Sequence, residues 1–466
     1  MSKRDRGARA ETTPCRKPTD VTLTGVTSRR PLTGGVLLNA SRHIASGIAA
    51  AGTTIVVARA LGPSGAGAYA VAQAAVAVLT VATTLGVENG LIFRVASGLW
   101  EPGDAFRLTL KAGLLAGSIG AGLGIAARAL APSAFAGLSL PLTLVALAAL
   151  PLALATIVST SCAVATDRYG IYSLLPGLQA LLVLLATTAG SFAFGLTGAV
   201  TGMAVATGAV GLGSIVWGLR LPFTAHETDL RQLRSALKFG IASYGANALQ
   251  VINYRLDLFV LSVVASSAAV GQYSVAVTVS SALWLLPQGL SDLLFPRVAQ
   301  LNQPGEEAQR DMVEAKALRH ASLVLCATAV VMAGAVVVLI VPIFGQGFRP
   351  AIVLTLILIP GTVLVALAGV MAASVIGRGN PAYGFYAAAI TTPLTAILYV
   401  GLIPWLHARG AALASTLSYS ASFALFARYF QCTTGMKVLP LLIPTRSELE
   451  DLRSLPRALA ARMAKD

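Results

Sequence analysis

Two stretches of the chain repeat one another at an offset of 204 residues, and this duplication constrains the fold more than any other feature. Gly67-Ala68-Tyr69-Ala70-Val71-Ala72 returns as Gly271-Gln272-Tyr273-Ser274-Val275-Ala276. Gly86 and Arg94-Val95-Ala96 return as Gly289 and Arg297-Val298-Ala299. Tyr169-Gly170-Ile171-Tyr172 returns as Tyr383-Gly384-Phe385-Tyr386, and Gly198-Ala199 as Gly410-Ala411. The order is kept, and the offset drifts only between 203 and 214. A tandem copy of this length must fold into two related halves.

Composition fixes the solvent. Of 466 residues, 56% are hydrophobic and only 11% charged, with a mean hydropathy of +0.75; soluble domains carry about 25% charged residues. Charge-poor apolar stretches of about 20 residues, each long enough to cross a bilayer as a helix, recur throughout. Hydropathy predicts twelve: Val36–Leu61, Gly67–Phe93, Leu108–Ala127, Pro141–Ala165, Gly170–Ser191 and Leu196–Gly218, then Phe239–Val264, Gly271–Phe295, Ala321–Phe344, Ile352–Ile376, Ala382–Pro404 and Ala411–Tyr429. The expected fold is an all-α polytopic membrane protein. Six helices per repeat is an even number, so the repeats are parallel, with a pseudo-two-fold axis along the membrane normal and a cleft between two lobes. The expected division is a cytoplasmic tail at 1–32, a first lobe at 33–220, an inter-lobe loop at 221–238, a second lobe at 239–430 and a tail at 431–466.

The net charge of +15 could signal a nucleic-acid partner, but its distribution points elsewhere. With the N-terminus inside, all but six of the 34 Lys and Arg fall on the inner side. The six are Arg59, Arg128, Arg349 and Arg409 in outer loops, and Arg42 and Arg255 within helices. This asymmetry expects both termini in the cytoplasm of a cell that carries the protein in its plasma (inner) membrane, with some attraction to anionic lipid and no nucleic-acid partner. Cys15, Cys162, Cys326 and Cys432 are scattered without metal-ligand spacing, and the first 30 residues lack the apolar core of a signal peptide. No GxxxxGK[ST] occurs, so the chain carries no P-loop, and neither metal nor cofactor is expected. Short outer loops disfavour a glycosyltransferase or polymerase, and an enzymatic role is not expected. After the last helix, Thr445-Arg446-Ser447-Glu448 has capping-box spacing and leads into Leu449, Leu452, Leu455 and Leu459, which suggests a short helix on the membrane surface.

Polar residues inside the helices are the candidates for function. Around Asn39 on the first helix, Arg42, His43, Ser46, Thr53 and Thr54 fall within about 60° of one line. Around Gln250 on the seventh, Ser243, Asn247, Asn253, Tyr254 and Asp257 do the same, and Arg255 lies beside them. The offset of 204 maps His43 to Asn247, Ser46 to Gln250 and Thr53 to Asp257. Such stripes face a bundle interior or an aqueous cavity, because they are expensive in contact with lipid. The expected substrate cavity is therefore Asn39, Arg42, His43, Ser46, Asn247, Gln250, Asn253, Tyr254, Arg255 and Asp257, with Arg42 and Asp257 bordering one shared opening. Arg42 also has the option of snorkelling, and Arg255 with Asp257 that of pairing. Glu88, Asn89, Arg94, Asp292 and Arg297 are candidates for an inner gate or for ion coupling, with Glu88–Arg94 and Asp292–Arg297 as structural pairs. Pro176, Pro287, Pro360 and Pro393 mark kinks.

Four segments carry a family resemblance: Ala60-Leu61-Gly62-Pro63 with Gly67-Ala68-Tyr69; Tyr254-Arg255-Leu256-Asp257 with Val270-Gly271-Gln272-Tyr273; Leu294-Phe295-Pro296-Arg297-Val298-Ala299; and Arg409-Gly410-Ala411-Ala412-Leu413-Ala414. In this order and spacing the chain resembles the polysaccharide transporter, or Wzx-type oligosaccharide flippase, branch of the multidrug/oligosaccharidyl-lipid/polysaccharide (MOP) exporter superfamily. The resemblance covers residues 33–430. It implies a V-shaped, MATE-like pair of six-helix lobes and an alternating-access cycle. The implied cargo is a polyprenyl-diphosphate-linked oligosaccharide, with membrane lipids and polysaccharide polymerase or assembly proteins as further partners. A drug or metabolite/cation antiporter of the same superfamily is the main alternative, although aromatic content is only 6%. A non-transporting scaffold of a polysaccharide assembly complex is the alternative of another class.

Overall fold

The computed structural model of the protein describes residues 32–84, 86–222, 248–251, 253–380 and 382–443. The expected tail, the inter-lobe loop from 223 on, and the surface helix after Thr445 lie outside the described residues. Within the described residues the fold is helical, with α1 (Leu32–Thr84), α2 (Val87–Ala96), α3 (Pro102–Leu130), α4 (Leu140–Ala148), α5 (Leu150–Ala165) and α6 (Tyr169–Gly218). There follow α7 (248–264, except 252), α8 (Ser267–Ser281), α9 (Leu285–Gln300), α10 (Glu307–Phe344), α11 (Pro350–Gly377), α12 (Ala382–Thr434) and α13 (Val438–Leu441). Eight helical segments among the described residues are long and apolar enough to cross a membrane.

Three of the helices are too long to be single spans. α1, α6 and α12 have 53, 50 and 53 residues, about 75–80 Å if straight, against a hydrocarbon core of about 30 Å. Each doubles back at residues with non-helical dihedrals: Gly62 (φ 65°, ψ −173°), Phe194-Gly195 (Gly195 φ 60°, ψ −137°) and His407 (φ 49°, ψ −128°). In α6 the arms touch at Gly190 against Gly198 and at Ala186 against Gly202. In α12, Leu402 meets Gly410, and Tyr399 and Ser415 share a hydrogen bond at 3.0 Å. The expected helix pairs one–two, five–six and eleven–twelve are thus hairpins with tight turns at Gly62, Gly195 and His407. The expected second helix stops early: α1 ends at Thr84, and Gly86 (φ 73°) starts the short α2. Between the expected eighth and ninth helices the chain is largely helical as well, since α9 runs to Gln300 and α10 begins at Glu307.

Prolines open several elements where no amide partner is needed, at Pro102 and Pro350 among others. Hydroxyls inside apolar helices are satisfied locally: Thr109, Thr355, Thr362 and Thr391 donate to the carbonyl one turn back. Pro176, Pro360 and Pro393 lie inside α6, α11 and α12, whereas Pro287 falls in the first turn of α9.

The two copies meet through the repeated glycines. A methyl group on Gly67 would overlap the carbonyl of Ser267 and press on the Gly271 amide, and one on Gly271 would overlap the carbonyl of Pro63 and press on the Gly67 amide. Pro63 and Gly67 are the 204-residue equivalents of Ser267 and Gly271. The contact is reciprocal, as across a two-fold axis, so the pseudo-axis expected from the duplication passes between these two residues. Bare glycines let α1 and α8 cross backbone to backbone. Val57, Val71, Val275, Ala276, Ala199 and Ala411 pack around the crossing in one core that both copies build.

Candidate functional site

Next to the glycine crossing lies a cavity of 40 Å³, room for a few waters. Its wall includes Thr54, Tyr69, Ala70 and Gln73 from α1, Arg255 and Leu258 from α7, and Ser274, Val277 and Thr278 from α8. Thr54 and Leu258, Ala70 and Ser274, and Gln73 and Val277 are equivalents under the repeat. The cavity therefore straddles the pseudo-axis, walled by both copies. The hydroxyl hydrogens of Thr54, Ser274 and Thr278 are committed to Ala50, Gly271 and Ser274 carbonyls, so these groups offer lone pairs to the cavity. Arg255 and the Gln73 amide are its donors. Among the described residues no carboxylate lines it.

Arg42 occupies a different place. Its guanidinium lies 4.5 Å from the Tyr172 ring centroid, donates to the Tyr172 hydroxyl at 3.2 Å, and sits 3.1 Å from His43 Nε2. α1 and α6 hold it half-buried within the first copy, so it does not extend freely toward a membrane surface. Ser46 is half-buried one turn further along α1. The side chain of Asn39 lies outside the described residues, as does Asn247.

Asp257 turns away from the axial cavity. One carboxylate oxygen accepts from the Leu258 amide at 2.7 Å and the other from the Tyr273 hydroxyl at 2.7 Å. Tyr273 also lies 3.0 Å from Ser415 Oγ, which is 3.0 Å from the Tyr399 hydroxyl. This buried network joins α7, α8 and both arms of α12, and it replaces the expected pairing with Arg255. Helical geometry explains the split: positions 255 and 257 differ by about 200° around the helix, so one faces the axis and the other the interior of its own copy. Arg42 and Asp257 thus do not border one shared opening; Arg255 holds the place at the axis.

Near Asp257 an aromatic cluster forms. Tyr254 lies 4.9 Å from Trp284 and 5.8 Å from Tyr419, centroid to centroid, and accepts a hydrogen bond from Gln250. Among the described residues, Asn253 Oδ1 and Trp284 Nε1 are buried without a hydrogen-bond partner.

The gate candidates remain separate. Glu88 Oε2 is buried without a partner among the described residues, and Arg94 lies over the Trp100 ring at 5.7 Å instead of pairing with Glu88. Asn89 is half-buried on α2, Arg297 is exposed at the end of α9, and the Asp292 side chain lies outside the described residues. The strong ionic contact at that end of the molecule is one the sequence did not single out. Arg378 forks onto Glu314 and Asp311 and donates to the Thr433 carbonyl at 3.1 Å, and Ser374 donates to Glu314 at 2.7 Å. Burial opposes the charge on Arg378, but Glu314 and then Asp311 leave its pKa raised.

Tyr172, Gln73, Ser274, Thr278, Trp284 and Tyr419 were missed as site residues. Gln73 carried the clearest signal, a lone amide in an Ala/Val run, and Ser274 and Thr278 share a face at helical spacing.

Comparison with known proteins bears on the same region. A sequence model of a family described as polysaccharide biosynthesis protein matches residues 56–353. The probable low-salt glycan biosynthesis flippase Agl15 of Haloferax volcanii is 22% identical over 228 residues, 48% of this chain and 48% of that protein. The chain thus spans about half the length of this relative. Among solved structures, the lipid II flippase MurJ in an inward closed conformation matches with a TM-score of 0.67 at 14% identity, over 87% of this chain and 91% of that one. An inward-facing multidrug resistance MATE transporter of the MOP superfamily matches with a TM-score of 0.66 at 13% identity, over 84% and 94%. An outward-facing MATE transporter gives 0.59 at 13% identity, over 87% and 97%. These likenesses establish the fold.

Proposed function

From the premise that the chain belongs to the polysaccharide biosynthesis protein family, we propose that it is a flippase-type transporter of the MOP superfamily that moves a polyprenyl-diphosphate-linked oligosaccharide across the plasma membrane by alternating access. The observation that carries this reading is Arg255, set in a small cavity between the two copies with no carboxylate among the described residues of its wall. A lipid-linked diphosphate has a charged, hydrated head that cannot enter hydrocarbon unaided. Arg255 and the Gln73 amide match a phosphate at the axis, and Arg42, stiffened by Tyr172, offers a second charge on the first copy. The amides and hydroxyls nearby suit sugars, and the prenyl chain stays in lipid between lobes at 33–220 and 239–430.

Orientation follows from charge. Arg59, Arg128, Arg349 and Arg409 belong to the end of the Gly62 turn, and Arg94, Arg107, Arg168, Arg220, Arg297 and Arg378 to the other. The positive-inside rule then puts the Gly62 end outside and both termini in the cytoplasm. The contacts that tie the copies together at the Gly62 end fit an inward-facing state. Glu88, Asn89, Arg94, Asp292 and Arg297 would lie toward the cytoplasmic mouth, and Asp257 is the candidate for coupling to an ion gradient.

A second reading has its own support. The Tyr254, Trp284 and Tyr419 rings beside buried Asp257 suit a drug or metabolite/cation antiporter. Deleting the gene and restoring it as wild type, Arg255→Gln or Arg42→Gln separates the two. We expect lipid-linked oligosaccharide to accumulate on the inner leaflet in the deletion, and Arg255→Gln to restore export at least about tenfold less well than wild type. An unchanged lipid-linked pool with altered drug sensitivity favours the antiporter. Full rescue by both variants removes the arginines from the mechanism.

A further inference from the structure

At the Gly62 end the copies are tied by more than the glycine crossing. Arg59, in the last turn before Gly62, reaches out of its own copy: Nε donates to the Ile343 carbonyl at 2.7 Å, and Nη2 donates to the Pro342 carbonyl. Both carbonyls belong to the last turn of α10, where a helix has no amides of its own to offer, and the Gly345 amide satisfies only Val341. A guanidinium there meets two open acceptors and the negative end of the helix dipole.

The second copy makes the reciprocal contact. Ser262, in the last turn of α7, donates to the Ala134 carbonyl at 2.7 Å, in the turn that follows α3. Its equivalent under the offset of 204 is Ala58, next to Arg59. Phe135 and Phe259 pack beside it with centroids 6.2 Å apart. Arg59 therefore grips the far end of α10, and Ser262 the turn just beyond the far end of α3. The chemistry differs: Arg59 offers a charged fork, while Ser262 has a single hydrogen that it shares with the Phe259 carbonyl at 2.8 Å.

We propose that Arg59 is the principal latch of the Gly62 end, that its release from α10 is what lets the copies part there, and that Ser262 is the weaker, reciprocal clasp. Any movement that separates α1 from the end of α10 breaks both Arg59 bonds together. Because Arg59 is solvent-exposed, water replaces the lost carbonyls and the latch is reversible.

The test uses the full chain in lipid nanodiscs without cargo. Spin labels go on Ser133→Cys and Gln346→Cys, both exposed and on opposite copies, with Cys15→Ser, Cys326→Ser and Cys432→Ser; buried Cys162 stays. Pulsed electron resonance reads the distance distribution. Arg59→Gln should raise the long-distance population at least about tenfold, and Ser262→Ala less than about threefold. Arg59→Lys, which keeps the charge and loses the fork, should fall between them and is the decisive variant if Arg59→Gln does not insert. An unchanged distribution in the Arg59 variants, or a larger effect from Ser262→Ala, overturns the proposal. No cargo is present, so that result leaves the transport reading untouched.

Discussion

The two copies share a backbone and differ in what they bury. Tyr69 of the first and Tyr273 of the second are equivalent, both buried beside the axis. Tyr69 reaches only Thr187, at 3.4 Å, while Thr53 is turned onto its own Ala49 carbonyl. In the second copy Thr53 is replaced by Asp257, Thr187 by Tyr399 and Met203 by Ser415, and a neutral contact becomes a network around a carboxylate. The opposite end repeats the contrast: the first copy sets Phe106 under Gly218, while the second sets Arg378 between Glu314 and Asp311. Backbone contacts across the axis must be satisfied by both copies at once. Side chains inside one copy are under no such constraint, so the carboxylate at position 257 and the Arg378 cluster belong to the second copy alone.

The sharpest way to strain this comparison is at the ionic end. Glu314→Ala leaves Arg378 buried without its main partner and should cost about 3–5 kcal/mol, read as thermal stability in detergent. A loss below about 1 kcal/mol would mean that the cluster behaves as a solvated surface pair. The tyrosines come next. Tyr273→Phe removes a hydrogen bond to a buried carboxylate and should cost about 1.5–3 kcal/mol, against about 0.5 kcal/mol for Tyr69→Phe with its long neutral contact. Equal losses would erase the claimed difference. At the crossing the copies should agree: Gly67→Ala and Gly271→Ala should each cost about 1–3 kcal/mol, and a much milder effect at one of them would break the reciprocity. The smallest effect is expected at the hairpin turns. Gly195 and His407 are equivalents under an offset of 212 with nearly the same dihedrals, φ 60° and 49°. A side chain at positive φ is strained, so His407→Gly should gain about 1 kcal/mol and Gly195→Ala should lose about that much.

Much of the fold was legible in the sequence because its constraints are collective. Apolar segments, the repeat and its offset are properties of many residues and gave two related halves about an axis, whereas the meeting of Gly67 and Gly271 on that axis is visible only in the packing. The hairpins were less legible: hydropathy separates two spans, but the turn at His407 carries no glycine to announce it. The site was legible only as positions. The stripe on the seventh helix grouped Tyr254, Arg255 and Asp257, yet periodicity could not say that Arg255 faces the axis and Asp257 the interior of its copy, since that depends on which neighbours pack on each side. The Arg378 cluster escaped because Asp311 and Glu314 precede the apolar segment that begins at Ala321, and hydropathy does not show that α10 extends back through them to Glu307.

The crossing at Gly67 and Gly271 has a genealogical consequence. A surface complementary to its own repeat is complementary to itself, so a single six-helix ancestor would have carried both sides of this contact and could have paired with an identical chain. Joining the copies end to end kept the handshake and freed the partners from being twins. One could then acquire an acid that the other never had.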